Sequence, residues 1–243
     1  MTEQGSGRVV RGTVTFSLDA AYELALPSCA APPSGHPVVL ALHGFGEDCH
    51  RMLERFAPLV ALGVAVLAAE GPYPVEMRRR VSGEPARIGH AWYQFTGDQP
   101  AFVAACAKTA GHLARVLDAA AAEHRLDRSR VVLAGYSQGG YLAGLWALTE
   151  PARFRALIAI ACRIKTEVFA PDVLAQASRL PVLAIHGSRD ERVRPEPQQA
   201  AIDVLRRAGF DARIQIHDGG HDLDGTVVAA VQAFLRDDLR FPA

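Results

Sequence analysis

The sequence has no surplus of charge of either sign: 26 Lys and Arg stand against 26 Asp and Glu. Proteins that hold nucleic acid or an anionic membrane surface carry a basic excess, so neither partner is indicated, nor is a polyanionic substrate. No apolar run approaches the roughly 20 residues needed to span a bilayer. The first residues, Met1-Thr2-Glu3-Gln4-Gly5-Ser6-Gly7, lack the basic and then apolar blocks of a signal peptide. A soluble, cytoplasmic protein is therefore expected. Cysteine is scarce, and Cys29, Cys49, Cys106 and Cys162 form no Cys-x-x-Cys pair, which argues against a zinc site or a disulfide scaffold. The nine histidines show no His-Glu-x-x-His spacing, so no metal is implied. Internal repeats, low-complexity tracts and domain linkers are also missing.

What is present is a chain of 243 residues, 49% hydrophobic, which suits one large α/β domain spanning residues 1–243. Residues 9–16 and 21–26 read as two strands of an antiparallel hairpin at a sheet edge. Val38 to Leu42 is apolar without alternation, the pattern of a central parallel strand buried on both faces. A helix follows from about 48 to 61, with Asp48 as its N-cap, and Val64 to Ala69 is the next buried strand. Residues 70–97 show no periodicity and carry Pro72, Pro74, Pro85 and the run Arg78-Arg79-Arg80, so they read as an irregular functional loop or lid. An Ala-rich helix capped by Asp98 covers 99–124. Its charges Lys108, Arg115, Asp118 and Glu123 make it a surface helix with one packed face. Asp127 to Arg130 reads as a turn. Strands are expected at 131–135, 154–161, 181–187 and 212–217, with helices from Ser137 to about 149, at 197–208 and at about 223–238. Strands alternating with helices predict a mostly parallel sheet of about seven or eight strands with helices on both faces.

Three motifs follow three of these strands, so their loops are expected at one sheet edge. Gly135-Tyr136-Ser137-Gln138-Gly139 joins a buried strand to a helix, as the sharp turn carrying a nucleophilic serine does. A Cβ at Gly135 or Gly139 would crowd such a turn. Asp190 follows the strand at 181–187, and His221 follows the strand at 212–217 after Gly219-Gly220. A serine is a poor nucleophile until a base takes its proton. An imidazole can take that proton and return it to the leaving group, and a carboxylate fixes the imidazole tautomer. The rival base His217 lies inside a strand. The rival acids Asp218, Asp222 and Asp224 lie too near His221 in sequence. The oxyanion would be held by the backbone N–H of Gln138 and by one from His43-Gly44-Phe45-Gly46, with Phe45 the expected donor. His43 and His186 read as structural.

These segments, together with His186-Gly187-Ser188-Arg189-Asp190, resemble the phospholipase/carboxylesterase family of α/β-hydrolases over roughly residues 37–235. The family includes acyl-protein thioesterases and small bacterial esterases. The resemblance implies an α/β-hydrolase fold and cofactor-free hydrolysis of carboxylic esters or thioesters through an acyl-serine intermediate. It also implies that Trp92 and Tyr93 help line the substrate pocket, with the Phe45 ring on the acyl side. Cys162-Arg163 stands where the family often has Ser-Gly, Glu47 precedes Asp48 where the Asp usually follows the second glycine directly, and Gln94 replaces a common Asp.

The expectation is a serine esterase for small or medium acyl groups. Its partner is a small-molecule ester or thioester, with no nucleic acid and no membrane span, and a homodimer is one open option for its assembly. A lysophospholipase or acyl-protein thioesterase, which needs a long apolar groove, is the rival within enzymes. A hydrolase-fold ligand-binding protein with weak turnover is the rival outside them. One of Arg78, Arg79 and Arg80 could meet an anionic substrate group, against the plainer reading of a solvated loop face.

Overall fold

A computed structural model describes residues 10–14, 18–19, 21–77 and 86–240. Arg78, Arg79 and Arg80 lie outside them. The main sheet holds β1 (Tyr22–Ala25), β2 (His36–Leu42), β3 (Ala65–Ala69), β6 (Leu126–Tyr136), β7 (Ala156–Ile160), β8 (Val182–Gly187) and β9 (Ala212–His217). Their order across the sheet is β1-β3-β2-β6-β7-β8-β9. All neighbours are parallel except β1 and β3. The antiparallel pairing at the N-terminal edge is thus present, but the partner of β1 is β3, and residues 10–14 lie outside any strand.

The run of β2 lacks alternation because both faces are covered. Val38, Leu40 and Leu42 enter one core with α2 (Gln99–His124) and α3 (Gln138–Thr149). Val39 and Ala41 enter a second core with α1 (Cys49–Phe56) and α6 (Gly225–Ala233). Two further helices, α4 (Pro171–Ala177) and α5 (Pro195–Arg207), add Leu174, Ala201, Ile202 and Leu205 to the first core. Helix starts follow capping chemistry: Asp48 accepts from the Arg51 N–H at 2.8 Å, and Asp98 from the Ala101 N–H at 3.0 Å. On α2 the buried positions Phe102, Cys106, Thr109, Leu113, Val116 and Ala120 recur every three or four residues, one packed face on an otherwise wet helix.

Two segments differ from expectation. Residues 70–97 hold an antiparallel ribbon of β4 (Tyr73–Met77) and β5 (Arg87–Ala91), with Tyr73 opposite Ala91 and Met77 opposite Arg87. Of its ten strand residues only Gly89 and Ala91 are buried, so no apolar alternation marked it. β6 begins at Leu126, so the residues expected as a turn lie within the strand; Leu126 pairs with His36, and the β2–β6 register shifts before it resumes at Val38 and Val131.

β2 leads one way to β3 and its neighbour β6 leads the other way to β7, so the order of the sheet reverses between them. The crevice at the carboxyl ends of such a pair is where open α/β sheets bind ligands. The loop His43–Asp48 and the turn at Ser137 both lie there.

Candidate active site

Ser137 sits between β6 and α3 with φ 50° and ψ −116°. This is a left-handed backbone on a residue with a Cβ, and such strain costs about 1–3 kcal/mol. The turn closes only because its neighbours are glycine: a Cβ at Gly135 would lie 2.4 Å from the Gly139 oxygen, and one at Gly139 would lie 2.5 Å from the Leu42 oxygen. Burial of Gly139 against Leu42 and His43, and of Gly44 against the Tyr136 ring, sets the His43–Asp48 loop beside the serine turn.

Ser137, His221 and Asp190 meet in series. Ser137 Oγ is 2.8 Å from His221 Nε2, and His221 Nδ1 is 2.8 Å from Asp190 Oδ2. The Asp190 side chain is fully buried, and it is well supplied with donors. Its Oδ1 accepts the N–H groups of Arg192 and Val193, both at 2.9 Å. His186 Nε2 lies 3.3 Å from Oδ2 while donating to the Val193 carbonyl at 2.6 Å. Tyr136 Oη donates to the His221 carbonyl at 2.7 Å and steadies that loop. Two of the rival acids are engaged elsewhere: Asp224 caps α6 by accepting from the Thr226 and Val227 N–H groups, and Asp218 pairs with Arg189; His217 is the last residue of β9.

Gln138 follows the serine directly, and Phe45 lies on the His43–Asp48 loop beside the serine turn. Gln138 opens α3, so its N–H has no intrahelical acceptor. Its side chain is clamped, accepting from the Trp92 N–H at 3.0 Å and donating to the Tyr93 carbonyl at 2.9 Å. The Phe45 loop is braced by Glu47, which accepts from the Gly44 N–H at 3.1 Å and takes both Arg55 nitrogens, at 3.1 and 2.9 Å. The ribbon braces it too, through Gly46 N–H to the His90 carbonyl and His90 N–H to the Glu47 carbonyl, both 2.8 Å.

A cleft of about 360 Å³ opens at Ser137, lined by Tyr93, Phe95, Phe102, Gln138, Tyr141, Arg163 and Lys165 as well as the serine. Tyr93 is among its lining residues. Trp92 is not: it is fully buried, its indole N–H donates to the His43 carbonyl at 2.8 Å, and its ring lies 4.6 Å from the His43 ring. The expected pocket wall is a core residue that supports the loop from beneath. The Phe45 ring is half-exposed and outside the lining set. Phe95, Phe102, Tyr141, Arg163 and Lys165 were missed, and only the unusual Cys162-Arg163 pair hinted at them. Cys162 is packed: burial pushes its thiol well above the ordinary value, and its sulfur fills the space a Cβ on Gly140 would need.

His43 is a structural group with a measurable signature. The Gly71 N–H donates to its Nε2 at 3.0 Å, so its proton sits on Nδ1, which donates to the Gly44 carbonyl at 2.7 Å. Burial lowers its pKa to about 4 from an ordinary 6.5. The unfolded chain therefore takes up a proton at pH 6.5 that the native state refuses until about pH 4. Stability contributed by the neutral ring is complete above 6.5 and falls as the pH drops, by about 3 kcal/mol across the window. His43→Gln keeps an acceptor for Gly71 without a titrating ring. Urea unfolding between pH 6.5 and 4.5 is expected to show a shallower loss of stability for this variant than for wild type, and equal slopes would contradict the assignment.

The parallel sheet, its reversal point and the strained serine turn define an α/β-hydrolase. Residues 29–239 match the Phospholipase/Carboxylesterase family, and the chain belongs to that family, which is hydrolytic. It is 31% identical over 114 residues to acyl-protein thioesterase 1 of Gibberella zeae, covering 45% of this chain and 48% of that one. It is 30% identical over 186 residues to a protein of Nocardia uniformis subsp. tsuyamanensis named as an esterase, NocK, covering 74% of this chain and 48% of the relative. Each match spans about half the relative's length. The crystal structure of esterase PE8 superposes with a TM-score of 0.70 at 25% identity, over 90% of this chain and 99% of that one. Among the described residues no helix is long and apolar enough to cross a membrane.

Proposed function

We propose that the protein is a serine esterase that cleaves small to medium acyl esters through an acyl-serine intermediate. The observation that carries this reading is the series Ser137–His221–Asp190, with both links at 2.8 Å, on a serine at the strained turn between β6 and α3. Ser137 Oγ attacks the acyl carbon while His221 Nε2 takes its proton. His221 then gives that proton to the leaving alcohol, and water repeats the cycle to release the acid. Asp190 holds the His221 proton on Nδ1. The N–H groups of Gln138 and Phe45 stabilise the oxyanion, at about 3–4 kcal/mol per donor. The chain's four described thiols are free, which suits a cytoplasmic setting.

Cleft size supports short acyl groups. A volume of about 360 Å³ lies at the low end of the roughly 300–1,000 Å³ of small-molecule sites, and two cations border it. Both features count against the long-chain thioesterase and lysophospholipase readings. A p-nitrophenyl ester series from acetate to palmitate, run on wild type and Ser137→Ala, tests this. Peak kcat/KM is expected between two and eight acyl carbons, with a fall of about 100-fold by palmitate. A peak at palmitate would overturn the acyl-length reading, and absence of turnover across the series would favour a ligand-binding protein.

A further inference from the structure

The segment that carries Arg163 and Lys165 is held by a backbone turn, buried side chains and a buried hydrogen bond. Directly after β7, Ala161 has φ 48°, a left-handed backbone that turns the chain out of the sheet. Past it, burial alternates: Cys162 and Ile164 are fully buried, while Arg163 and Lys165 line the cleft. The Ile164 N–H donates at 2.7 Å to Oε1 of Gln198, itself fully buried, and the Ile164 side chain lies against Gly144 of α3. The two cations are thus fixed on the same side as Ser137.

Lys165 is an unusual place for an ammonium. Its side chain is only 13% exposed, and Nζ stands 5.4 Å from the ring centroids of both Phe95 and Phe102. It donates to Gln99 Oε1 at 2.7 Å, which uses one of its three protons. Nearby Glu167 is committed to Arg163, whose two terminal nitrogens grip its two oxygens, and reaches Lys165 only at 3.8 Å. Tyr141 adds no negative charge, because burial pushes its hydroxyl up to about 12. At this wall of the cleft two cations meet one carboxylate, Glu167, which leaves the wall one positive charge in excess, while the buried Asp190 carboxylate is taken up by His221 and the Arg192 and Val193 N–H groups; an anion at this wall would find Lys165 and Arg163 as its counter-charges.

We propose that the cleft selects esters bearing an anionic group, a carboxylate or a phosphate-type group, a few atoms from the scissile carbonyl, with Lys165 as its counter-ion and Arg163 as its flank. This rests on the esterase reading above. The apolar stem of such a substrate lies along Tyr93, Phe95 and Phe102, and its anion ends at Nζ, so length and charge are read together. It also gives a role to Cys162-Arg163, which departs from the family pattern.

The test compares p-nitrophenyl butyrate with two charged partners of similar length, mono-p-nitrophenyl glutarate and the p-nitrophenyl ester of 4-phosphonobutyrate. Wild type is expected to show a kcat/KM roughly 10- to 100-fold higher on at least one charged ester than on the butyrate. The favoured ester identifies the anion. In Lys165→Met that ratio is expected to collapse toward one. Free glutarate and 4-phosphonobutyrate, compared with butyrate as competitive inhibitors of wild type, check the same point without a variant. A wild type that prefers the neutral ester, or a Lys165→Met variant that keeps the charged-to-neutral ratio, would overturn the inference. Turnover of butyrate by wild type that Ser137→Ala does not abolish would instead overturn the esterase reading, so the two failures are distinct.

Discussion

Ser137→Ala is expected to lower kcat on a short chromogenic ester by about a millionfold. In the proposed mechanism the loss is this large because Oγ would form the bond that makes the intermediate, and His221, 2.8 Å away, would then have no proton to take. Neither Cys162 nor Tyr141 offers a substitute: the thiol of Cys162 is fully buried and its pKa raised, and burial keeps the Tyr141 hydroxyl protonated. Rate above the uncatalysed background, about 10³–10⁴-fold, remains from the oxyanion donors and binding alone. His221→Ala is expected to cost about as much, and the double variant no more than either, since the two act as a unit. A Ser137→Ala enzyme keeping more than about 1% of kcat would contradict the nucleophile assignment.

Asp190→Asn is expected to cost about 10⁴-fold in kcat, and the hydrogen bonds say why. The Arg192 and Val193 N–H groups both point at Oδ1, so the oxygen of an asparagine would be held there. Its NH₂ would then occupy the Oδ2 position, facing His221 Nδ1. To accept from it, the imidazole must carry its proton on Nε2, where it cannot take one from Ser137. The same NH₂ would face the His186 Nε2–H, which already donates to the Val193 carbonyl. Two donors facing each other in a buried site cost about 1–3 kcal/mol, so a lower urea midpoint should accompany the loss of kcat. A variant that keeps more than about a tenth of kcat would show that Asp190 does not set the tautomer.

The parts of the molecule legible in the sequence are those where one local pattern dictates one local structure. Unbroken apolar runs such as Val38–Leu42 mark strands covered on both faces. Asp48 and Asp98 mark helix starts by their capping chemistry. The order Ser137, Asp190, His221 at three strand ends is readable as well, though their separations are not. The cleft walls were hidden because a wall depends on where a side chain points after its strand ends. Trp92 and Tyr93 are adjacent, yet one lies in the core and the other lines the cleft. Arg163 and Lys165 face Ser137 only because Ala161 turns the chain and Gln198 pins it, contacts between elements far apart in sequence. The ribbon β4–β5 was hidden for the opposite reason: only Gly89 and Ala91 of its ten strand residues are buried, and the Gly46 and His90 pairing that anchors it is made by backbone.

The central claim is that chemistry passes through an acyl group on Ser137. Rapid quenching of wild type with p-nitrophenyl butyrate, followed by intact mass and peptide mapping, tests it directly. The account predicts a burst of about one p-nitrophenolate per chain and a butyryl group on the peptide that contains Ser137. Turnover with no acylated chain, or acylation at any residue other than Ser137, would contradict it.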